Sequence, residues 1–122
     1  METSNKNIHY VNPKFENWIC NELTDPSTWN LKEDAEFFGY VDSETSNSFY
    51  VHFPFRDFKP DNLVVDMCSS FLHYDVDFGE VDYAFHAVKK SIGIGGSMAI
   101  NIRSDKYEGY PKRDDIPHSL NW

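Results

Sequence analysis

The stretch Asp75–Ile102 constrains the fold more than any other part of the chain. Asp77 and Glu80 have the spacing of a capping box at its start, and Gly93 can take the left-handed conformation that ends a helix. Between them, apolar residues recur at the spacing of one helical face: Val81, Ala84, Phe85, Val88 and Ile92. This pattern predicts a helix over 79–92.

Alternating apolar residues predict the strands. Met98, Ile100 and Ile102 alternate with small or polar residues, as expected for a strand with one buried face. The segment 42–47, rich in turn-forming residues, separates two runs of strand formers that would pair as a hairpin. The predicted strands are 35–41, 48–55 and 97–103.

Two further helices are predicted in the part of the chain that precedes Asp75. Asn12 and Pro13 form a helix start, which predicts a helix over 13–23. The region 57–78 fits two periods, because Leu63, Val64, Met67, Cys68, Phe71 and Leu72 share a helical face although its last residues alternate. We expect a helix over 61–72, and the rival interpretation makes 62–68 and 71–78 two strands of a meander.

These elements predict an α+β fold for a single compact domain over 1–122. A small, mostly antiparallel sheet would pack against two or three helices. Residues 1–11 are polar and are expected to be loose. Residues 104–122 look irregular but carry several large apolar side chains, so we expect this tail to dock on the domain.

Composition limits the classes of partner. The net charge of −9 opposes binding to a phosphate backbone, so nucleic acid is not expected as a direct ligand. No apolar run is long enough for a membrane span or a signal peptide. Cys20 and Cys68 fit neither a disulfide framework nor a zinc site, and we interpret both as buried thiols. A cytoplasmic location is the expectation that follows.

The sequence contains no motif that names a catalytic chemistry. The acidic run from Asp75 lacks the spacing of a calcium loop, and the glycines of 91–97 follow a predicted helix instead of opening one, as a phosphate-binding loop would. Cys68 lies on an apolar face and looks structural. Hence no metal and no cofactor are expected, and the chain is predicted not to be an enzyme.

Elimination therefore favours a small acidic protein that binds another protein. The first functional hypothesis is an immunity protein that neutralises a bacterial nuclease toxin by covering its basic active-site cleft. The alternative within this class is a phage-encoded inhibitor of a host nucleic-acid enzyme. The predicted contact residues are Asp75, Asp77, Glu80, Asp82, Tyr74 and Tyr83. An alternative contact surface in the tail consists of Tyr107, Tyr110 and Trp122.

Two hypotheses from other classes stay open. One is a small enzyme or ligand-binding domain in which His73 and His86, which flank the acidic run, work with a nearby carboxylate. The other is a structural or self-associating subunit. Outward-pointing, widely separated histidines would count against the first.

Overall fold

The structure is a computed structural model, and it describes residues 24–45, 49–51, 60–95, 98–109 and 114–115. Six strands lie in these ranges: β1 (Phe38–Val41), β2 (Ser43–Glu44), β3 (Phe49–Tyr50), β4 (Leu63–Asp66), β5 (Tyr83–Ala87) and β6 (Ala99–Arg103). Three single turns of 3₁₀-helix cover Pro26–Thr28, Phe78–Glu80 and Asp105–Tyr107.

Four of the strands form one mixed sheet in the order β1-β4-β5-β6. β4 lies between β1 and β5 and is parallel to both, whereas β6 is antiparallel to β5. The short strands β2 and β3 pair as a separate antiparallel hairpin. As a result, the carboxyl ends of β1, β4 and β5 meet at one edge of the sheet.

The core lies on one face of this sheet. Leu63, Val65 and Met67 alternate along β4 and the residue after it, and all three are buried. The connection from β4 to β5 packs Phe71 and Val81 against them. Parallel strands need such a crossover connection, and here it covers the apolar face with turns and a 3₁₀-helix.

The prediction of two or three helices is wrong for the described residues, which contain no helix longer than one 3₁₀ turn. The range 61–72 contains β4 followed by a turn, and the range 79–92 contains β5. The short run Leu63–Val65 fits a helical and a strand period equally well, and a buried parallel strand has just this character. The third predicted helix, 13–23, lies outside the described residues.

The mostly antiparallel sheet is also wrong. β1 and β6 lie inside two of the ranges predicted as strands, but β1 pairs in parallel with β4 instead of forming a hairpin with 48–55. Only β3 is described as a strand within 48–55, and it pairs with β2. The rival meander is right about 62–68, which contains β4, and wrong about 71–78, which contains no described strand.

No helix within the described part of the chain is long and apolar enough to cross a membrane. The expected loose terminus 1–11 lies outside the described residues. The start of the predicted tail is described: Tyr107 Oη donates a hydrogen bond to Asn62 Oδ1 over 3.0 Å, and Lys106 forms an ion pair with Asp82.

Candidate functional site

A polar cavity of about 190 Å³ opens at the carboxyl ends of the parallel strands. Asp66 is the last residue of β4, and Lys90 follows shortly after the end of β5. The side chains that line the cavity come from the ends of three neighbouring strands and the turns after them: Val41, Ser43, Glu44, Thr45, Asp66, Cys68, Ser69 and Lys90. In open sheets with parallel strands, ligands bind at this edge.

Asp66 is held at the cavity by the turn that follows it. Its Oδ1 accepts a hydrogen bond from the backbone N–H of Cys68 over 2.8 Å. The backbone of Met67 continues the ladder, with its N–H donating to Phe85 O over 2.9 Å. The carboxylate therefore has a fixed place between β4 and the cavity, and it is half-buried.

Lys90 supplies an amine to the same cavity. Its Nζ donates a hydrogen bond to Ser69 Oγ over 2.6 Å. The neighbouring Lys89 is also exposed but does not line the cavity. Of the two consecutive lysines, only Lys90 thus shares a cavity with a carboxylate.

Cys68 lines the same cavity and is close enough to both groups for their charges to act on its thiol. Burial raises the pKa of its thiol, and the hydrogen bond and negative charge of Asp66 raise that pKa further. A backbone hydrogen bond from Ala87 and the positive charge of Lys90 act in the opposite direction. The expectation of a buried structural thiol is wrong for Cys68, which is only half-buried and lines the cavity.

The hairpin β2–β3 brings Ser43, Glu44 and Thr45 to the rim of the cavity. It is tied to the sheet by Asp42, whose backbone N–H donates to Asp66 O and whose carbonyl accepts from Val51 N. The Asp42 carboxylate is fully buried and accepts a hydrogen bond from Tyr74 Oη over 2.6 Å. Burial, followed by the charges of Asp42 and Tyr74, raises the pKa of Tyr40 well above its usual range.

The acidic residues predicted to bind a partner do not line this cavity, and Asp77 and Asp82 form structural contacts. Asp77 caps the 3₁₀-helix Phe78–Glu80 by accepting from Gly79 N over 2.9 Å. Asp82 accepts from Leu63 N over 2.8 Å and pairs with Lys106, whose pKa is raised first by its hydrogen bond to Asp82. Asp75 is exposed and Glu80 half-buried, and neither lines the cavity.

The aromatic residues of that prediction are likewise occupied within the domain. Tyr74 donates to the buried Asp42, and Tyr83 Oη donates to Asn101 Oδ1 over 2.9 Å. In the alternative surface, Tyr107 donates to Asn62, while Tyr110 and Trp122 lie outside the described residues. Tyr74, Tyr83 and Tyr107 therefore each use the side-chain hydroxyl in a contact within the described residues.

The two candidate histidines have different environments. His73 is exposed, whereas His86 is 2% exposed, stacks on Phe71 with ring centroids 4.7 Å apart and lies 3.1 Å from Met67 O through Nδ1. Neither is among the described residues that line the cavity. Within the same described part of the chain, no group of three or more His, Cys, Asp or Glu side chains could hold a metal ion.

Asp66, Ser69 and Lys90 were therefore missed by sequence reasoning. The available signal was topological: Asp66 directly follows an apolar run, and Lys90 lies three residues after the end of β5. Had the two elements been recognised as neighbouring parallel strands, their carboxyl ends would have pointed to one site. A lysine near the end of the predicted helix 79–92 also has a purely electrostatic explanation, because cations stabilise the carboxyl end of a helix, so Lys90 gave no separate signal.

Comparison with known proteins gives similarity to one kind of enzyme, although no protein-family model matches the sequence. The chain is 32% identical over 83 residues to a protein described as a probable phosphoserine aminotransferase from Dictyostelium discoideum. It is 30% identical over 89 residues to the phosphoserine aminotransferase of Coxiella burnetii. These matches cover 66% and 73% of this chain, but only 22% and 24% of the relatives.

Solved structures give the same result. The fold matches a PLP-bound phosphoserine aminotransferase from Trichomonas vaginalis with a TM-score of 0.63 and 33% identity, covering 80% of this chain and 28% of that one. A phosphoserine aminotransferase from Cytophaga hutchinsonii matches with a TM-score of 0.60 and 25% identity, covering 70% of this chain and 25% of that one.

These similarities overturn the functional predictions. The interpretation as an immunity protein or toxin inhibitor is wrong, and the prediction that the chain is not an enzyme is contradicted, because the proteins that it resembles are phosphoserine aminotransferases. The prediction of a basic protein partner is wrong as well, since it was inferred only from the inhibitor hypothesis. In sequence and in fold, the chain is similar to about a quarter of the length of phosphoserine aminotransferases.

Proposed function

We propose that the cavity is part of a pyridoxal phosphate (PLP) site in a protein of the phosphoserine aminotransferase type. The observation that carries this proposal is the presence of Asp66 and Lys90 on one cavity. Enzymes that use PLP need a lysine that forms a Schiff base with the cofactor and commonly an acidic partner for its ring nitrogen. The PLP-bound neighbour from Trichomonas vaginalis supports the same assignment.

Each of the two residues has the chemistry that its role requires. A carboxylate such as that of Asp66 can accept a hydrogen bond, so it would accept one from a protonated ring nitrogen of the cofactor. Lys90 provides a primary amine, which condenses with an aldehyde to form a carbon–nitrogen double bond and release water. When bound, PLP supplies the electron sink that makes amino-group transfer possible.

The cavity is smaller than a complete ligand site. Its volume of about 190 Å³ lies below the roughly 300–1,000 Å³ of typical small-molecule pockets. Among the described residues that line it, Lys90 is the only cation, which leaves no second positive group for the phosphate of the cofactor. We therefore assign recognition of the phosphate, and of the amino-acid substrate, to residues outside this cavity.

Transamination of phosphoserine is proposed from the relatives alone, as their names state that activity. We carry a cytoplasmic location as part of the same proposal. The free thiol of Cys68 supports it, because thiols stay reduced in that compartment.

Covalent trapping tests the proposed site. The full chain is incubated with a limiting amount of PLP, reduced with borohydride and digested, and mass spectrometry locates the pyridoxyl group. We expect the label on Lys90, and we expect Lys90→Arg to lose it. Lys89→Arg is the matched control, because it removes the adjacent exposed amine and should leave the labelling of Lys90 unchanged.

Labelling that is spread over surface lysines, with no preference for Lys90, would contradict the proposal. So would retention of the full signal in Lys90→Arg. Because both variants keep the positive charge at an exposed position, a loss of folding is not expected to confuse the result.

A further inference from the structure

We propose that Ser69 is a positioning residue that holds the amine of Lys90 over the cavity before the cofactor arrives. This inference rests on the proposed function and adds a residue to it. It follows from the hydrogen bond of 2.6 Å between Lys90 Nζ and Ser69 Oγ, which joins the turn after β4 to the turn after β5. Both side chains line the cavity.

Ser69 is a suitable anchor because its backbone is fixed on both sides. The carboxylate of Asp66 accepts from Cys68 N, directly before it. Directly after it, Ser70 N and Phe71 N both donate to Met67 O, over 3.2 and 3.1 Å. The hydroxyl of Ser69 thus projects from a turn that is tied to the same carboxylate proposed to face the ring nitrogen.

Lys90 needs an anchor, because its side chain is exposed and has a flexible four-carbon stem. Its backbone is held nearby, since Val88 is fully buried and its N–H donates to Met98 O over 3.3 Å. The stem itself would sample many rotamers in water, and fixing such a side chain is costly in entropy. One hydrogen bond to a fixed hydroxyl reduces the number of positions that the amine samples.

The chain offers a matched control at the next residue. Ser70 is 1% exposed, and no hydrogen-bond partner is described for its Oγ. Its hydroxyl faces the interior instead of the cavity, so Ser70→Ala removes the same atom without touching Lys90. Ser69→Thr is the conservative variant, because it keeps a hydroxyl at the cavity.

The test compares two reagents on the wild-type chain and on Ser69→Ala, Ser69→Thr and Ser70→Ala. Acetic anhydride is a small reagent that acetylates amines without binding in the cavity. PLP followed by borohydride labels an amine efficiently only when PLP binds in the cavity. For each, mass spectrometry measures the labelling of Lys90 relative to Lys89 on the same peptide. The ratio cancels differences in reagent and in overall exposure.

We expect opposite changes with the two reagents in Ser69→Ala. Acetylation of Lys90 should rise, because the amine is released, whereas capture of PLP should fall by about fivefold, the scale of one net hydrogen bond. Ser69→Thr should restore both ratios to within about twofold, and Ser70→Ala should match the wild-type chain. A merely structural role for Ser69 would not give opposite signs or rescue by threonine.

The remaining outcomes overturn the inference in distinguishable ways. Unchanged acetylation in Ser69→Ala would mean that the hydroxyl does not hold the amine. Raised acetylation with unchanged capture of PLP would mean that holding the amine has no consequence, and the proposed function would stand. A wild-type chain that captures PLP equally at Lys89 and Lys90 would overturn the proposed function and the inference with it.

Discussion

Two groups of carboxylates in this chain differ in what the fold does with them. The acidic run 75–82 contains four acids, Asp75, Asp77, Glu80 and Asp82, and is the most conspicuous charged feature of the sequence. Asp66 stands alone at the end of β4. In the run, Asp77 caps a turn and Asp82 ties β4 to the residues after β6, whereas Asp66 faces a cavity together with an amine.

The difference lies in position relative to the sheet. Asp82 precedes β5 and contacts Leu63 at the start of β4, so it lies at the amino ends of the parallel strands. Asp66 and Lys90 lie at the carboxyl ends, where neighbouring strands leave room for a ligand. A high density of charged residues along the sequence therefore does not identify the site. The site is identified by charged residues that lie at the carboxyl ends of the parallel strands.

The largest effect that would test this comparison concerns stability at Asp82. Asp82→Ala removes the acceptor of Leu63 N and the ion pair with Lys106, and should lower the free energy of unfolding by about 2 kcal/mol. Urea denaturation of the full chain measures this value. Asp82→Asn keeps an acceptor for Leu63 N and should lose less, since the ion pair is partly exposed.

A loss below about 0.5 kcal/mol in Asp82→Ala would break the structural assignment of the run, because substitutions without a structural role stay within that range. The same variant should keep the preference of PLP for Lys90 in the folded chain. A loss of that preference without a loss of stability would move Asp82 into the site.

The sequence allowed these roles to be foreseen only in part. The spacing of Asp77 and Glu80 predicted a cap, and Asp77 does cap a helical element, although it is a single 3₁₀ turn. The capping geometry is local, so it can be predicted from neighbours in sequence. The contact of Asp82 with Leu63 joins residues far apart in sequence, and no local pattern carries it.

β5 shows why the fold itself was missed. Ala84, His86 and Val88 are all buried, with the period of a strand, but the buried histidine interrupts the apolar pattern. Without His86 as a core residue, the remaining apolar positions fit a helical face. The interior accepts this histidine because it stacks on Phe71 and lies within hydrogen-bond distance of Met67 O.

The candidate site was missed for the same reason. Lys90 lies near the end of the predicted helix 79–92, where a lysine is explained by its favourable interaction with the helix dipole. Once β4 and β5 are known to be parallel neighbours, Asp66 and Lys90 fall at one edge. Pairing between distant strands is the information that a single sequence does not contain.

The substitution Asp66→Asn should affect the binding of PLP and leave stability nearly unchanged. Asp66→Asn keeps an oxygen to accept from Cys68 N, so the turn should be retained and the free energy of unfolding should change by less than about 0.5 kcal/mol. The neutral amide cannot compensate the positive charge of a protonated ring nitrogen. The affinity for PLP should therefore fall by about tenfold, the scale of one hydrogen bond to a charged group. Titration followed by absorbance of the bound cofactor measures the affinity.

Asp66→Asn and Asp82→Ala should thus have opposite profiles, the first affecting binding and the second stability. An unchanged affinity in Asp66→Asn would contradict the assignment of Asp66 as the partner of the ring nitrogen. Lys90 labelling in the same sample shows whether the cofactor still reaches the cavity.

The smallest expected effect concerns Cys68, whose thiol reports the charges inside the cavity. Burial is the largest cause of its raised pKa, and it remains in every variant; the charge of Asp66 adds to it and the charge of Lys90 opposes it. Because the thiolate is the reactive form, the rate of alkylation by iodoacetamide should still increase with pH in the range where the rate of an ordinary thiol no longer changes.

Asp66→Asn should lower the pKa of Cys68 and increase the alkylation rate at a fixed pH by about threefold. Lys90→Met should raise this pKa and decrease the rate by a similar factor. The rate is followed on the Cys68 peptide by mass spectrometry, which separates it from Cys20, and Asp75→Asn is the matched control, because it removes one carboxylate from the exposed run. If Asp75→Asn changed the rate as much as Asp66→Asn, the charge of Asp66 would act through solvent like that of Asp75, and the distinction between a carboxylate in a cavity and one on the surface would fail.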